Sequence, residues 1–251
     1  MPVLTYHSIS ASDGPTSIPP GIFRMQLEVL AERGYSGFTE DEFIAWQRGA
    51  ACNGRRVLLT FDDAFADFAE IAHPLLRAHG FTALVFVPTG AVGGRESWSG
   101  ANGQSRRLLD WKTIAALAGD GTSFGGHGVD HEDLTRMDEK ARRGALAACA
   151  TKLAEQLGVR TRSFAPPYGR ANAAVRVDIG RVFDVAFGTS LDRATCRSNS
   201  LDLPRIEMHY FRNPRRWRAF LDDARSYFLM RRLLRAAREG GAGLLRWGGE
   251  R

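Results

Sequence analysis

The chain reads as an α/β protein, a parallel barrel of about seven β/α units. Three observations point there. Short apolar, β-forming runs alternate with helix-periodic segments along the sequence, the pattern of parallel strands joined by crossover helices. The length of 251 residues suits a closed barrel better than an open sheet. Polar clusters at His7, Asp62-Asp63, His127 and Pro166–Tyr168 each fall just past the C-terminal end of an expected strand. In such barrels that is the face where ligands bind.

Val3–His7 opens as a strand and leads into a Ser/Asp/Gly/Pro-rich loop to Gly21. Phe23, Leu27 and Leu30 recur at helical spacing, with Gly34 placed as a C′ glycine. Glu40-Asp41-Glu42 begin a short helix carrying Phe43, Ile44 and Trp46. Val57–Phe61 is a buried strand running into Asp62-Asp63, and Phe68, Ile71, Leu75 and Leu76 mark the next helix, ended by His79-Gly80. A strand over Thr82–Val87 stops at Pro88, and Gly90–Gly103 is a long loop bearing Trp98. A helix over Trp111–Leu117 and a strand over Thr122–Phe124 precede the Gly125–His131 cluster. Asp138 caps a long helix over Glu139–Leu157, terminated by Gly158. Then come a strand over Thr161–Phe164, a helix over Asn172–Ile179, strands over Phe183–Phe187 and Leu203–His209, and a helix over Pro214–Phe228. There is no internal repeat.

The hydrophobic fraction of 44% and charged fraction of 25% are those of an ordinary globule. The net charge of +6 hints at an anionic partner. Much of it lies at the end, however. Arg231, Arg232, Arg235, Arg238, Arg246 and Arg251 stand against Glu239 and Glu250, leaving the body nearly neutral, so no nucleic acid is expected. Mixed with Leu229, Met230, Leu233 and Leu234, this basic tail suits either an anionic membrane surface or a solvated helix end. Cys52, Cys149 and Cys196 are odd in number and form no C-x-x-C pair, which favours a reducing compartment. Met1–His7 has no signal-peptide character. A cytoplasmic location is the expectation, with peripheral contact at the inner membrane face through the tail.

The chemistry concentrates in two clusters. Adjacent carboxylates Asp62 and Asp63 repel, and burying them is costly unless a cation or proton compensates. Alone, such a pair is most often a solvated strand end or a helix N-cap. His127 and His131 are four apart, so one helical turn puts both imidazoles on one face. A carboxylate with two such histidines is a ligand set for a divalent metal, leaving positions for water and substrate.

T-F-D-D at Thr60–Asp63, H-x-x-x-H at His127–His131 and P-Y-G at Pro167–Gly169 resemble three signature motifs of the polysaccharide deacetylases, the NodB-type fold of carbohydrate esterase family 4. V-P-T-G at Val87–Gly90, D-W at Asp110-Trp111 and L-P-R-I at Leu203–Ile206 resemble lesser features, and the similarity runs roughly from Val3 to Phe220. The resemblance implies a distorted (β/α)7 barrel, here over residues 1–228 with 229–251 as a basic tail. It also implies metal-dependent removal of acetyl groups from a carbohydrate, mostly the N-acetyl groups of amino sugars. By that resemblance Asp63, His127 and His131 hold the metal, usually zinc, with cobalt, nickel or manganese as alternatives. Asp62 is then the general base, and a backbone N–H near Pro167-Tyr168 helps hold the oxyanion. Bound zinc lowers the pKa of water towards about 7 and polarises the acetyl carbonyl, and a general acid must protonate the departing amine.

Most members of that family carry a late apolar strand ending in histidine, and Thr189–Leu201 holds no clear copy. Val3–Ile9 has the required character and resembles the circularly permuted deacetylases, in which this strand comes first. His7 is therefore assigned as the acid, with His209 as rival. Ala64 stands where the family often has glycine, at a cost of roughly 1 kcal/mol if φ is positive there. Ala165 replaces a frequent arginine, a place that Arg205 of L-P-R-I is expected to fill. Trp98 and Trp111 are candidates to stack on a sugar, against a plainer role in packing; His73 and His79 read as structural. The same site would serve an O-acetyl esterase. A catalytically silent glycan- or membrane-binding module and a non-haem Fe(II) oxygenase are the rivals from other classes; the latter explains neither Asp62 nor the P-Y-G turn.

Overall fold

In a computed structural model of the chain, residues 1–12, 14–98, 105–223 and 226–230 are described. The chain divides into two compact units, Met1–Arg212 and Asn213–Arg251. Among the described residues the first unit holds eight parallel strands. They are β1 (Val3–Tyr6), β2 (Tyr35–Gly37), β3 (Arg55–Phe61), β4 (Leu84–Val87), β5 (Ser123–Gly126), β6 (Ser163–Phe164), β7 (Val185–Ala186) and β8 (Ile206–Glu207). Their order is β7-β6-β5-β4-β3-β1-β8, with β2 set against the start of β3. The two ends of this path meet. Phe187 bridges Leu203, Gly188 N donates to Leu203 O and Leu203 N to Ala186 O, both at 2.8 Å. A seam of a few bonds thus turns the sheet into a distorted barrel.

The barrel interior is layered because strand side chains alternate. Along β3, Leu58, Thr60 and Asp62 share a face; Val3, Thr5 and His7 do so along β1, and Leu203, Arg205 and Glu207 climb the same way at β8. The lowest layer packs with Leu84, Phe86, Val185 and Phe187 in one buried cluster. The upper layer is polar and lines a cavity. Gly126 must be glycine: a Cβ there would meet Cys149 Sγ, Phe164 and Phe183 at 2.9–3.0 Å.

Crossover helices follow the expected start and stop signals. They are α1 (Pro20–Glu32), α2 (Glu40–Gln47), α3 (His73–Ala78), α4 (Trp111–Gly119), α5 (Glu139–Leu157) and α6 (Ala173–Gly180). Thr39 and Glu42 form a reciprocal capping box at α2, Asp110 caps α4, Asp138 caps α5, and Gly158 ends α5 at φ 70. The helix expected from Phe68 begins instead as a π-helical stretch, Phe68–Ala72. Pro74 has no N–H for the carbonyl one turn back, so the winding there cannot be regular α. Strand β2 was not anticipated, and the strands expected over 82–87, 161–164, 183–187 and 203–209 are shorter. After β8 the chain winds into a 3-10 turn, Met208–Phe211, so His209 does not end a strand. Cys52, Cys149 and Cys196 are unpaired thiols. In the second unit α7 (Pro214–Asp222) starts on the Asn213 cap, and Trp217 stacks on Phe220 at 5.7 Å; this helix stops short of the expected Phe228. The tail arginines from Arg231 onward lie outside the described residues. Among the described residues no helix is long and apolar enough to cross a membrane.

Candidate metal centre and active site

The site is built where β3 ends. Asp63 (φ 72) and Ala64 (φ 53) are both left-handed, so the chain turns sharply and the two carboxylates diverge. Asp62 continues the barrel interior. Asp63 faces the loop after β5. Ala64 does take the conformation that glycine would occupy at lower cost, one instance of strain held at a functional site.

His127 and His131 are not on a helix. His127 extends β5, its N–H bonded to Val87 O at 2.9 Å. Gly128 (φ 79) and His131 (φ 58) then curl the chain into a loop, tied down by Thr89 N to Gly128 O at 3.1 Å and Gly90 N to Val129 O at 2.8 Å. The loop still delivers both rings to Asp63. His127 Nε2 and His131 Nε2 lie 3.3 and 3.2 Å from Asp63 Oδ1, and a ligand atom from each of the three lies within 4.8 Å of the others. Trp98 stacks on the His131 ring at 4.2 Å, and Tyr168 meets it edge-on at 4.6 Å.

These residues fit a cation. His127 Nδ1 lies 2.7 Å from Ala165 O, which fixes a tautomer with the proton on Nδ1 and a lone pair on Nε2. That lone pair faces Asp63 Oδ1, a buried oxygen with no hydrogen-bond partner. A lone pair on His127 Nε2 facing a buried carboxylate oxygen repels it unless a proton or a cation lies between them. Burial alone would raise the Asp63 carboxyl, but the two imidazoles outweigh it and hold its pKa far below the ordinary range. His127 is raised, with burial opposing the pull of Asp63.

Asp62 is gripped differently. Arg205 Nη1 and Nη2 donate to its Oδ1 and Oδ2 at 2.7 and 2.8 Å, while Arg205 Nε donates to Gly188 O at 2.9 Å. Burial works against ionisation, but the guanidinium overcomes it and lowers the Asp62 pKa. His7 Nε2 lies 3.9 Å from Asp62 Oδ2. His209 is not among the residues lining the cavity; its Nδ1 lies 3.1 Å from Arg212 Nη2.

The cavity is about 270 Å³, room for little more than one sugar ring. Asp62, Asp63, His7, His127, His131, Tyr168, Trp98 and Arg205 all line it. Pro167 is buried beneath, in the 3-10 turn Pro167–Gly169 that holds Tyr168 at φ 59. Trp111 is not part of the lining. His73 sits 3.2 Å from Asp120, and His79 Nδ1 2.8 Å from Leu75 O, away from the cavity. Thr5, Thr16, Glu96, Arg106, Thr189 and Glu207 line the wall as well, and sequence reasoning missed them. Period-two alternation from His7 and Arg205 would have found Thr5 and Glu207. Burial pushes the Glu207 carboxyl up, with His7 the first group opposing it.

A curated relative, YxkH of Bacillus subtilis (strain 168), is 24% identical over 173 residues, covering 68% of this chain and 58% of YxkH, so under two thirds of that relative is spanned. Among solved structures, a Streptococcus pyogenes deacetylase, PplD in complex with acetate, matches with a TM-score of 0.72 and 25% identity, over 82% of this chain and 91% of that one. IcaB from Ammonifex degensii matches with a TM-score of 0.72 and 25% identity, over 86% and 93%. The family model for polysaccharide deacetylases matches residues 50–182, the stretch carrying Asp62, Asp63, His127, His131 and the P-Y-G turn, and the chain belongs to that family.

Proposed function

We propose that the protein is a metal-dependent hydrolase that removes acetyl groups from a carbohydrate, most often the N-acetyl group of an amino sugar. The observation that carries this reading is the convergence of two imidazole Nε2 atoms on the buried Asp63 Oδ1, beside a second carboxylate held ionised by arginine. Asp63, His127 and His131 would hold the cation, and zinc suits two imidazoles and a carboxylate. A divalent ion there supplies Lewis acidity, polarising the acetyl carbonyl and acidifying water. Asp62, kept ionised by Arg205, accepts the proton of the attacking water at a carboxylate oxygen. A backbone N–H near Tyr168 shares the charge that develops on the carbonyl oxygen. His7, close to Asp62 on the cavity wall, gives a proton to the departing nitrogen, because an amide anion is too basic to leave. That the structure of PplD contains acetate supports an acetyl-derived product.

The test is acetate release from N-acetylglucosamine oligomers by the metal-loaded protein. His7→Ala and Asp62→Asn should retain metal yet lose at least about a hundredfold in turnover, the ordinary worth of acid–base catalysis. Asp63→Asn should lose the metal itself. Full turnover in His7→Ala would remove the acid role from that residue.

A further inference from the structure

Glu96 and Arg106 are a charged pair that neither the metal group nor the proton-transfer residues use. They lie in the segment between β4 and α4, beside the antiparallel bridge of Arg95 with Arg107, and Glu96 N donates to Arg106 O at 2.8 Å. Arg106 Nε and Nη2 donate to Glu96 Oε2 and Oε1 at 2.8 and 2.7 Å. The Glu96 side chain is 2% exposed and that of Arg106 14%. Both nonetheless line the cavity that contains Asp62, Asp63 and His7.

The hydrogen bonds of the two side chains separate their roles. Arg106 Nη1 also donates to Thr16 O and Ser17 Oγ at 3.3 and 3.2 Å, and Nη2 to Thr16 Oγ1 at 3.2 Å. Its guanidinium lies 3.9 Å over the Phe65 ring. These bonds use every N–H that a guanidinium has, so Arg106 has none left for a ligand. The donors of Arg205 are nearly as fully occupied, by Asp62, Thr60 and Gly188. Away from the proposed cation, an anionic substituent entering the cavity therefore finds carboxylates and little free guanidinium. Glu96 is the reverse case. Each of its oxygens accepts one bond from Arg106, and a carboxylate has room for about four. Two residues further along, Trp98 presents a ring beside His131.

We propose that Glu96, pinned by Arg106, selects the sugar in this pocket by accepting hydrogen bonds from the ring hydroxyls of an uncharged acetylated sugar. The assignment rests on the deacetylase reading and deepens it. Arg106 is a positioning residue: it fixes the carboxylate and ties this wall to the Thr16-Ser17 loop. Glu96→Gln is nearly isosteric but sets an amide N–H against an Arg106 N–H, a cost that Tm reports, and Arg106→Lys keeps the charge while losing the fork.

The experiment measures kcat and KM of the zinc-loaded full chain on N-acetylglucosamine oligomers, their monodeoxy analogues and 6-phosphorylated counterparts, with Tm and zinc content recorded for each variant. The wild type should prefer the neutral parent over at least one monodeoxy analogue and over the phosphorylated sugar. Glu96→Gln should lower kcat/KM for the parent by about tenfold or more, the worth of one hydrogen bond to a charged group, chiefly through KM, so that the parent falls toward that analogue. Arg106→Lys should move KM in the same direction. An unchanged preference in Glu96→Gln, or an equal fall for parent and all analogues, overturns the assignment while leaving the deacetylase reading in place. No acetate release by the wild type from any of these sugars sinks both.

Discussion

Arg205 sets the state of Asp62, and the consequence can be measured. Replacing it by leucine leaves a buried carboxylate without its partner, which should cost about 3–5 kcal/mol of stability. With its folded pKa depressed, the Asp62 carboxylate stabilises the fold above the unfolded value of about 3.9, and this is lost as pH falls through the lower folded value. With Asp62 as the proposed base, its higher carboxyl pKa in Arg205→Leu should move the acid limb of kcat/KM to higher pH; an unmoved limb in the variant would show that arginine does not govern the base. At this scale the sequence was informative where residues share a strand. Arg205 was marked by the L-P-R-I stretch and by Ala165, whereas Glu207, two positions later on the same face, went unread. Glu96 and Arg106 carried no such signal, because their pairing depends on a loop fold that local pattern does not encode.

Among the elements, loops carry more of the site than their sequences announce. The His127–His131 spacing fits a helix, but Gly128 at φ 79 and His131 at φ 58 cannot belong to one. The spacing was right about convergence and wrong about geometry, because side chains can meet by more than one backbone route. Strands were located by their apolar runs, yet their outer residues make too few ladder bonds to count, and β2 is too short and exposed to announce itself. The P-Y-G turn offers the sharpest test here. A Cβ on Gly169 (φ 64) would run into the Thr189 side chain, and the left-handed backbone is itself costly for alanine. Gly169→Ala should destabilise by about 1–3 kcal/mol and raise KM, since Tyr168 and Thr189 both line the cavity. Adding Thr189→Ala should recover only the steric part of the loss, as thermal melts of the two variants would show.

For the molecule as a whole, the family match over residues 50–182 contains the carboxylates and imidazoles but neither β1 with His7 nor β8 with Arg205. The barrel supplies those by topology: β1 lies between β3 and β8, and the seam between β7 and Leu203 completes the ring. A cation held as proposed by Asp63, His127 and His131 would bind the folded chain in preference to the unfolded one, so zinc at a hundredfold excess over its Kd should stabilise by up to about 2.7 kcal/mol. Calorimetry should show Tm rising with zinc, returning with a chelator, and indifferent to both in Asp63→Asn; an equal zinc shift in that variant would place the ion elsewhere. The interior position of β1 also bears on synthesis. The ribosome delivers this strand before β3 and β8, so it can join β3 early, but its other edge must wait for residue 207 to emerge. At ordinary translation speed that interval is on the order of ten seconds, during which a nascent chain shows an unprotected hydrogen-bonding edge to chaperones and to its neighbours on the polysome.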